Sequence, residues 1–510
     1  MSWSLRGSLA LLPLLFLLAM VVAPLARLLW EGGVAVSPGL LQDSYLQWRL
    51  AWSLGQALAS CLLCLLVGLP LAWVLARYDF AGRRLLLRLL LLPFVMPTLV
   101  AGLGVLALFG PHGISGIDLQ DTPWLLLYGN LFYNLPLLVR AAVDGLSQVP
   151  ASRLLVARTL GATPWRCFWR VEWPVVRPWL ASALCLIFLY CFAGFGLALL
   201  LGGQRYATVE VEIYSLVAYE LNLADAGALA LLALVVGALA AGGYAWLERR
   251  LVKEARPDPS LCQPPQGWPQ WLQLALALTV LLLCSAAPLL AIVWRALQAD
   301  AASWQGLWDA EVLAAIANTL RFTAGALGLA LLLGLAHGVV AARWWWLRAL
   351  GFLPFMVSPV MLAFGLLLLY PQFSASLWLL LAAYALLAYP FVAKAVAAAL
   401  ASLPPSLPAA ARTLGATPWR SFCRVSLPLI RPALRRGLAF AAATAVGEFA
   451  VTLFLSRPEW TTLTTLIYQR LGRAGAANLE QAMLLTCLLL GFALLAFLII
   501  EWPEKHRAAD

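Results

Sequence analysis

Glu448 sits inside an apolar run of this 510-residue chain, in Thr444-Ala-Val-Gly-Glu-Phe-Ala. An ionisable group at the centre of a hydrocarbon span costs roughly 2.5–3.5 kcal/mol on insertion scales, so it has to face protein or water. Two roles fit: a structural hydrogen bond to a neighbouring helix, or a pathway carboxylate that meets a cationic solute. Asn130 and Asn134 lie one helical turn apart and share a face, which suits helix–helix hydrogen bonding or pathway lining. Tyr190, Cys191 and Phe195 offer an aromatic pathway wall or ordinary packing, and Arg321 fits a snorkelling side chain. The three histidines, His112, His337 and His506, are scattered, with no metal-ligand or nucleophile–base spacing. Cys61-Leu-Leu-Cys64 has redox spacing but falls inside an apolar run, where small-residue packing is the plainer reading. No Gly-x-x-x-x-Gly-Lys-Ser/Thr occurs, and the three lysines, Lys253, Lys394 and Lys505, follow no glycine-rich loop. The chain therefore reads as no enzyme, with no catalytic residue, metal site or cofactor of its own.

The elements that must position these residues are membrane helices. The chain is 63% hydrophobic and 11% charged, with mean hydropathy +0.88, against roughly 25% charged residues in soluble domains. Twelve apolar runs approach the ~20 residues needed to cross a bilayer as a helix. They cover about 8–29, 50–76, 86–109, 123–143, 179–201, 226–247, 271–294, 313–341, 349–370, 375–397, 437–455 and 481–500. The runs do not alternate as barrel strands do, so the expected fold is an all-α polytopic membrane protein. With a cytoplasmic N-terminus and one crossing per run, 26 of the 34 Lys and Arg fall on the cytoplasmic side. That is the positive-inside bias. It puts both termini inside and makes the net charge of +11 a topology signal rather than a sign of nucleic acid.

The chain repeats itself. Residues 158–178 (RTLGATPWRCFWRVEWPVVRP) and 412–432 (RTLGATPWRSFCRVSLPLIRP) are identical at 15 of 21 positions, at an offset of 254. Pro136/Pro390, Pro150/Pro404, Phe195/Phe449, Thr208/Thr462 and Tyr214/Tyr468 keep the same offset, and Leu92-Pro93-Phe94 matches Leu353-Pro354-Phe355 at 261. Two halves of six spans each, 1–248 and 269–510, follow, joined by a polar cytoplasmic linker at 249–268. Six is even, so the halves share one orientation and relate by an axis along the membrane normal.

The repeated segment predicts a helix over about 151–160 ended by Gly161 in the left-handed region. Thr163-Pro164 then caps and starts a second short helix to about Val171, ended by Pro174. Gly415, Thr417-Pro418 and Pro428 repeat the pattern. Each elbow offers arginines (Arg158, Arg166 and Arg170; Arg412 and Arg420) beside Trp165 and Phe168, or Trp419. Attraction to anionic lipid needs only the charge, not a glycine, a capped proline and a tryptophan in fixed register.

The segment resembles the E-A-A-x-x-x-G-x(9)-I-x-L-P loop of ABC importer permeases. The match runs from Leu155 through Gly161 to Val171 and Pro174, and from Ala409 through Gly415 to Val425, Leu427 and Pro428. The family's glutamate is replaced by Leu155 and by Ala409, so any contact through that acid is absent or made differently. Across the whole chain the resemblance is to fused permeases of the importer group that handles thiamine and ferric iron. Stretches 42–60, 130–136, 186–195, 201–214 and 445–454 look most like the thiamine permeases.

The resemblance implies two tandem six-helix type I permease domains, with cores at about 48–247 and 313–502, in a bacterial inner membrane. It implies that each elbow is a coupling helix docked on one of two cytoplasmic ABC ATPase subunits, which bind ATP and Mg. A periplasmic substrate-binding protein would meet the outer segments 202–225 and 456–480. Thiamine or its phosphates come first as solute, ferric iron second and a polyamine or other small cation third. An ion-coupled secondary transporter shares the twelve helices but has no use for the elbows.

Overall fold

A computed structural model describes residues 3–35, 43–90, 92–251, 262–342, 344–351, 353–374, 376–455 and 457–501. The expected linker falls largely on 252–261, outside the described residues. Apart from one isolated bridge between Tyr78 and Gln263, the described residues form helices and the turns between them. Among the described residues eight helices are long and apolar enough to cross a membrane, including Ser44–Arg77, Ala310–Ala341 and Leu377–Ser402. The expected third span is bent by 99° between Arg83–Phe94 and Thr98–Phe109. Pro97 explains the bend, because it lacks an N–H and pushes Met96 out of the helical region.

The expected spans 179–201 and 437–455 are also broken. Helix Trp173–Phe192 stops and Gly196–Leu201 restarts, and Leu427–Val446 stops and Ala450–Leu455 restarts. Both breaks fall at the same place in the repeat.

The chain forms two compact units. One contains residues 35–94 and 98–298, the other residues 1–34, 95–97 and 299–510. The sequence halves have thus exchanged their first helices: Trp3–Ala35 packs with the second half and Trp268–Leu297 with the first. The same device seats both. Each contains a π-turn, Leu18–Val22 or Leu282–Ala286, followed two residues later by a proline. In π register Pro24 and Pro288 would donate to the carbonyls of Ala19 and Leu283, but proline has no N–H. Those carbonyls are left for tyrosines: Tyr370 Oη donates to Ala19 O at 3.1 Å, and Tyr128 Oη to Leu283 O at 2.7 Å. Opposite each proline lies a glycine. A Cβ on Gly104 would stand 2.8 Å from Pro288 O, and one on Gly365 3.0 Å from Pro24 O. Backbone cannot give way as a side chain can, so Gly104→Val and Gly365→Val should each destabilise the unit by about 1–3 kcal/mol. Thermal unfolding of the detergent-solubilised protein checks this, and an unchanged melting temperature in both variants would remove the packing role.

Within each unit the second and fourth spans of the half cross at a matched contact. Gly68 lies against Leu138, and Gly334 against Val392. Gly334 and Gly338 face Val392 and Val396 one turn apart, the small-residue packing by which membrane helices approach closely. Helices Val209–Ala218 and Leu463–Leu471 close the end opposite the elbow of each unit. Val209 N donates to Ser53 Oγ at 2.8 Å, and Leu463 N to Thr319 Oγ1 at 2.9 Å. Phe195–Tyr214 and Phe449–Tyr468 pack at 5.4 and 5.3 Å between ring centres.

Candidate functional site: two elbows and two broken helices

Each elbow is built by local chemistry. Helix Ala151–Thr159 ends where Gly161 takes φ +79°, and helix Ser406–Thr413 where Gly415 takes +82°. The left-handed glycine turns the chain so that Ala162 N reaches Ala157 O and Ala416 N reaches Ala411 O, both at 3.0 Å. These bonds satisfy carbonyls that a helix end leaves open. Thr163 Oγ1 then accepts from Arg166 N at 3.4 Å, and Thr417 Oγ1 from Arg420 N at 3.3 Å. Pro164 and Pro418 occupy the first helical turn.

The expected stop at Pro174 and Pro428 does not occur. π-turns Phe168–Glu172 and Phe422–Ser426 precede the two prolines and lead directly into helices Trp173–Phe192 and Leu427–Val446. The wider turn absorbs the missing N–H. Each elbow therefore runs without interruption into the fifth span of its half.

Arg158, Gly161, Thr163, Pro164, Trp165 and Arg166 are exposed, as are Arg412, Gly415, Thr417, Pro418, Trp419 and Arg420. Phe168 is half-buried and stacks under Trp165 at 6.4 Å, and Phe422 stacks likewise under Trp419 at 5.9 Å. Sequence reasoning missed the two leucines at the corners. Leu160 is 81% exposed and Leu414 88%. Their shared register before the two glycines was the available signal. An aromatic and an aliphatic side chain flanked by arginines, held out by a fixed turn, form a surface suited to contact with another protein.

A buried ion pair ties the first elbow to its unit. Glu172, 2% exposed, pairs with Arg77 at the end of helix Ser44–Arg77. Trp73 Nε1 donates to the other carboxylate oxygen at 3.2 Å, and the Arg77 guanidinium lies 5.0 Å from the Trp73 ring centre. In the second half Ser426 replaces Glu172. Ser426, Val339, Trp344, Arg412 and Phe422 help line a pocket of about 240 Å³ there.

The candidate pathway residues gather at the helix breaks. In the first half Asn130 Nδ2 donates to Gln56 Oε1 at 2.7 Å and Ser60 Oγ at 3.0 Å. Gln56 Nε2 donates to Cys191 O at 2.8 Å, a carbonyl opened by the break. Asn134 Nδ2 reaches Asn130 O at 3.0 Å and Cys191 Sγ at 3.4 Å. In the second half Tyr384 stands where Asn130 does, and its hydroxyl pairs with Thr452. Glu448 Oε1 accepts from Val451 N at 2.9 Å, and Glu448 O accepts from the hydroxyls of Thr464 at 3.0 Å and Thr452 at 3.2 Å. Irregular backbone inside a bilayer survives only where such partners satisfy it, so both clusters stabilise a break. Gly194, the counterpart of Glu448, admits no side chain: a Cβ would stand 2.5 Å from Tyr190 O. Tyr190 is half-buried and packs on Phe94 at 5.4 Å, and Phe195 is buried against Tyr214. Among the described residues no group of three or more His, Cys, Asp or Glu could hold a metal ion.

Duplicated apolar helices, broken spans and paired elbows define a multi-pass membrane protein of the transport-component class. Residues 68–253 and 326–507 each match the family described as binding-protein-dependent transport system inner membrane component, and the chain belongs to that family. Across 526 residues it is 29% identical to the thiamine transport system permease protein ThiP of Escherichia coli (strain K12), covering 96% of each chain. It is 36% identical over 220 residues to the ThiP of Brucella abortus (strain 2308), covering 41% of this chain and 40% of that one. The molybdenum transport system permease protein ModB of Mycobacterium bovis is 35% identical over 204 residues, 38% of this chain and 76% of its own. The relatives thus include permeases named for different solutes.

Proposed function

We propose that this chain is the transmembrane permease subunit of an ATP-driven importer that carries thiamine or its phosphates into the cytoplasm. The observation that supports the solute most is the likeness to a thiamine permease along 96% of the chain. No comparison favours ferric iron, and a binding-protein-dependent family leaves little room for an ion-coupled carrier. The elbows face the cytoplasm, as do both termini, and each grips one ABC ATPase subunit that binds ATP and Mg. The opposite ends face the periplasm and receive a soluble substrate-binding protein.

In this mechanism ATP closes the ATPase pair and moves the elbows. Because each elbow runs without interruption into its fifth span, the motion passes to the breaks at 193–195 and 447–449. The halves rock between inward-facing and outward-facing states, and the two ends are coupled through those states. Asn130, Asn134, Tyr190, Phe195 and Glu448 lie at or near the breaks and bound the route of the solute. The test is purification of the complex with its binding protein, then calorimetric titration with thiamine, thiamine diphosphate and ferric citrate. Binding of a thiamine species alone supports the reading, whereas iron binding alone would replace it.

A further inference from the structure

One turn in the first half holds a leucine in the left-handed region. Leu221 has φ +54°, where the Cβ of an L-residue crowds the following carbonyl. Asp121 is the other non-glycine residue at positive φ among those described, and aspartate tolerates that region better. The equivalent position in the second half is Gly475, at φ +115°, the residue such a turn calls for.

The surrounding bonds fix the conformation. Glu220 N donates to Ser215 O at 3.2 Å and Asn222 N to Leu216 O at 2.9 Å. Asn222 Nδ2 pairs with Asp225 Oδ2 at 2.7 Å, at the start of helix Leu223–Leu251. Glycine would make the same turn without strain. The leucine side chain is 77% exposed beside Tyr219 at 69%, so most of it lies open to a partner. Strain held at an exposed apolar residue points to a contact outside the chain. A leucine and a tyrosine with Glu220 and Asn222 around them have the anatomy of an interface anchor with a polar rim.

We infer that Tyr219 and Leu221 form the docking knob for the soluble substrate-binding protein, inserting into an apolar recess on it. This rests on the reading under Proposed function, which places this end of the unit in the periplasm. The family is binding-protein-dependent, and the polar neighbours Glu220, Asn222 and Asp225 suit a soluble partner better than lipid. The equivalent turn of the other half carries Arg473, Ala474 and Gly475, so the knob belongs to one half alone.

Leu221→Gly separates docking from folding, because it removes the side chain and relieves the strain together. The full complex, in detergent and in liposomes, is titrated with the binding protein that stimulates its ATP hydrolysis. In L221G the half-stimulating concentration should rise about tenfold or more. Basal hydrolysis should stay unchanged, and the melting temperature should stay equal or rise. An L221G complex that titrates like its parent, or that melts lower, overturns the inference. So does a loss confined to liposomes, which would assign the knob to the bilayer. If no binding protein stimulates the parent complex, the function proposed above fails as well, and the two failures are told apart.

Discussion

A Leu160→Asp/Leu414→Asp double variant is expected to insert and fold like its parent and to lose its ATPase subunits. Both leucines project into solvent, at 81% and 88% exposure, so the folded chain gives up no packing when they change. The glycine turns, the threonine caps and the π-turns behind them all remain. What changes is the apolar tip that the turn holds out, now a charge at the centre of the contact. Removing an anchor of this kind costs roughly 2 kcal/mol or more, about thirtyfold in affinity for each elbow. The two elbows act together, so loss at both should abolish co-purification of a tagged ATPase. Melting temperature and membrane yield serve as controls. Retention of the ATPase with normal melting would show that the elbows do not carry the contact. Gly161→Asp/Gly415→Asp tests the same surface through its turn, with the added strain of a side chain at φ +79° and +82°.

Glu172→Ala should have the second large effect, for a different reason. It leaves the Arg77 guanidinium mostly buried and unpaired, which costs roughly 3–5 kcal/mol, a large part of the 5–15 kcal/mol that typically holds a fold. The variant should melt well below its parent and transport little. The double variant Arg77→Met/Glu172→Met removes both charges and should regain most of the stability, since a buried pair often does no better than apolar residues of like size. If the ion pair that ties the elbow to helix Ser44–Arg77 also passes the elbow's motion inward, transport should stay low in the double variant. Stability and transport returning together would make the pair a packing element only. A parent-like melting temperature in E172A would show that the charge is solvated.

The elbows were the most legible part of this chain, because their structure is local. A glycine after a helix, then Thr-Pro, specifies a turn and a restart within a few residues, and the structure has both. Pro174 and Pro428 misled for the same reason: proline usually stops a helix, but a π-turn two residues earlier lets it continue. The breaks at 193–195 and 447–449 lie inside runs long and apolar enough to read as single spans, so hydropathy could not show them, although Glu448 stands in the second. They are marked by polar residues elsewhere in the sequence, Gln56 for one and Thr464 for the other. The exchange of the first helices is likewise non-local, since nothing near Pro24 names Gly365 or Tyr370 as its partner. Nothing beside Glu172 in the basic loop names its partner, which lies 95 residues away. Leu160 and Leu414 carry no polar mark in the sequence, and only the turn built around Gly161 and Gly415 leaves them exposed.

In the proposed mechanism the elbows pass ATP hydrolysis by bound ATPase subunits into inward movement of a thiamine compound. The decisive experiment reconstitutes permease, ATPase and binding protein in proteoliposomes oriented to take up labelled thiamine, with ATP inside or outside the vesicles. Thiamine should accumulate against a gradient only when ATP reaches the elbow side, and not at all with L160D/L414D. Uptake that proceeds without ATP, or that persists in L160D/L414D, would contradict the mechanism.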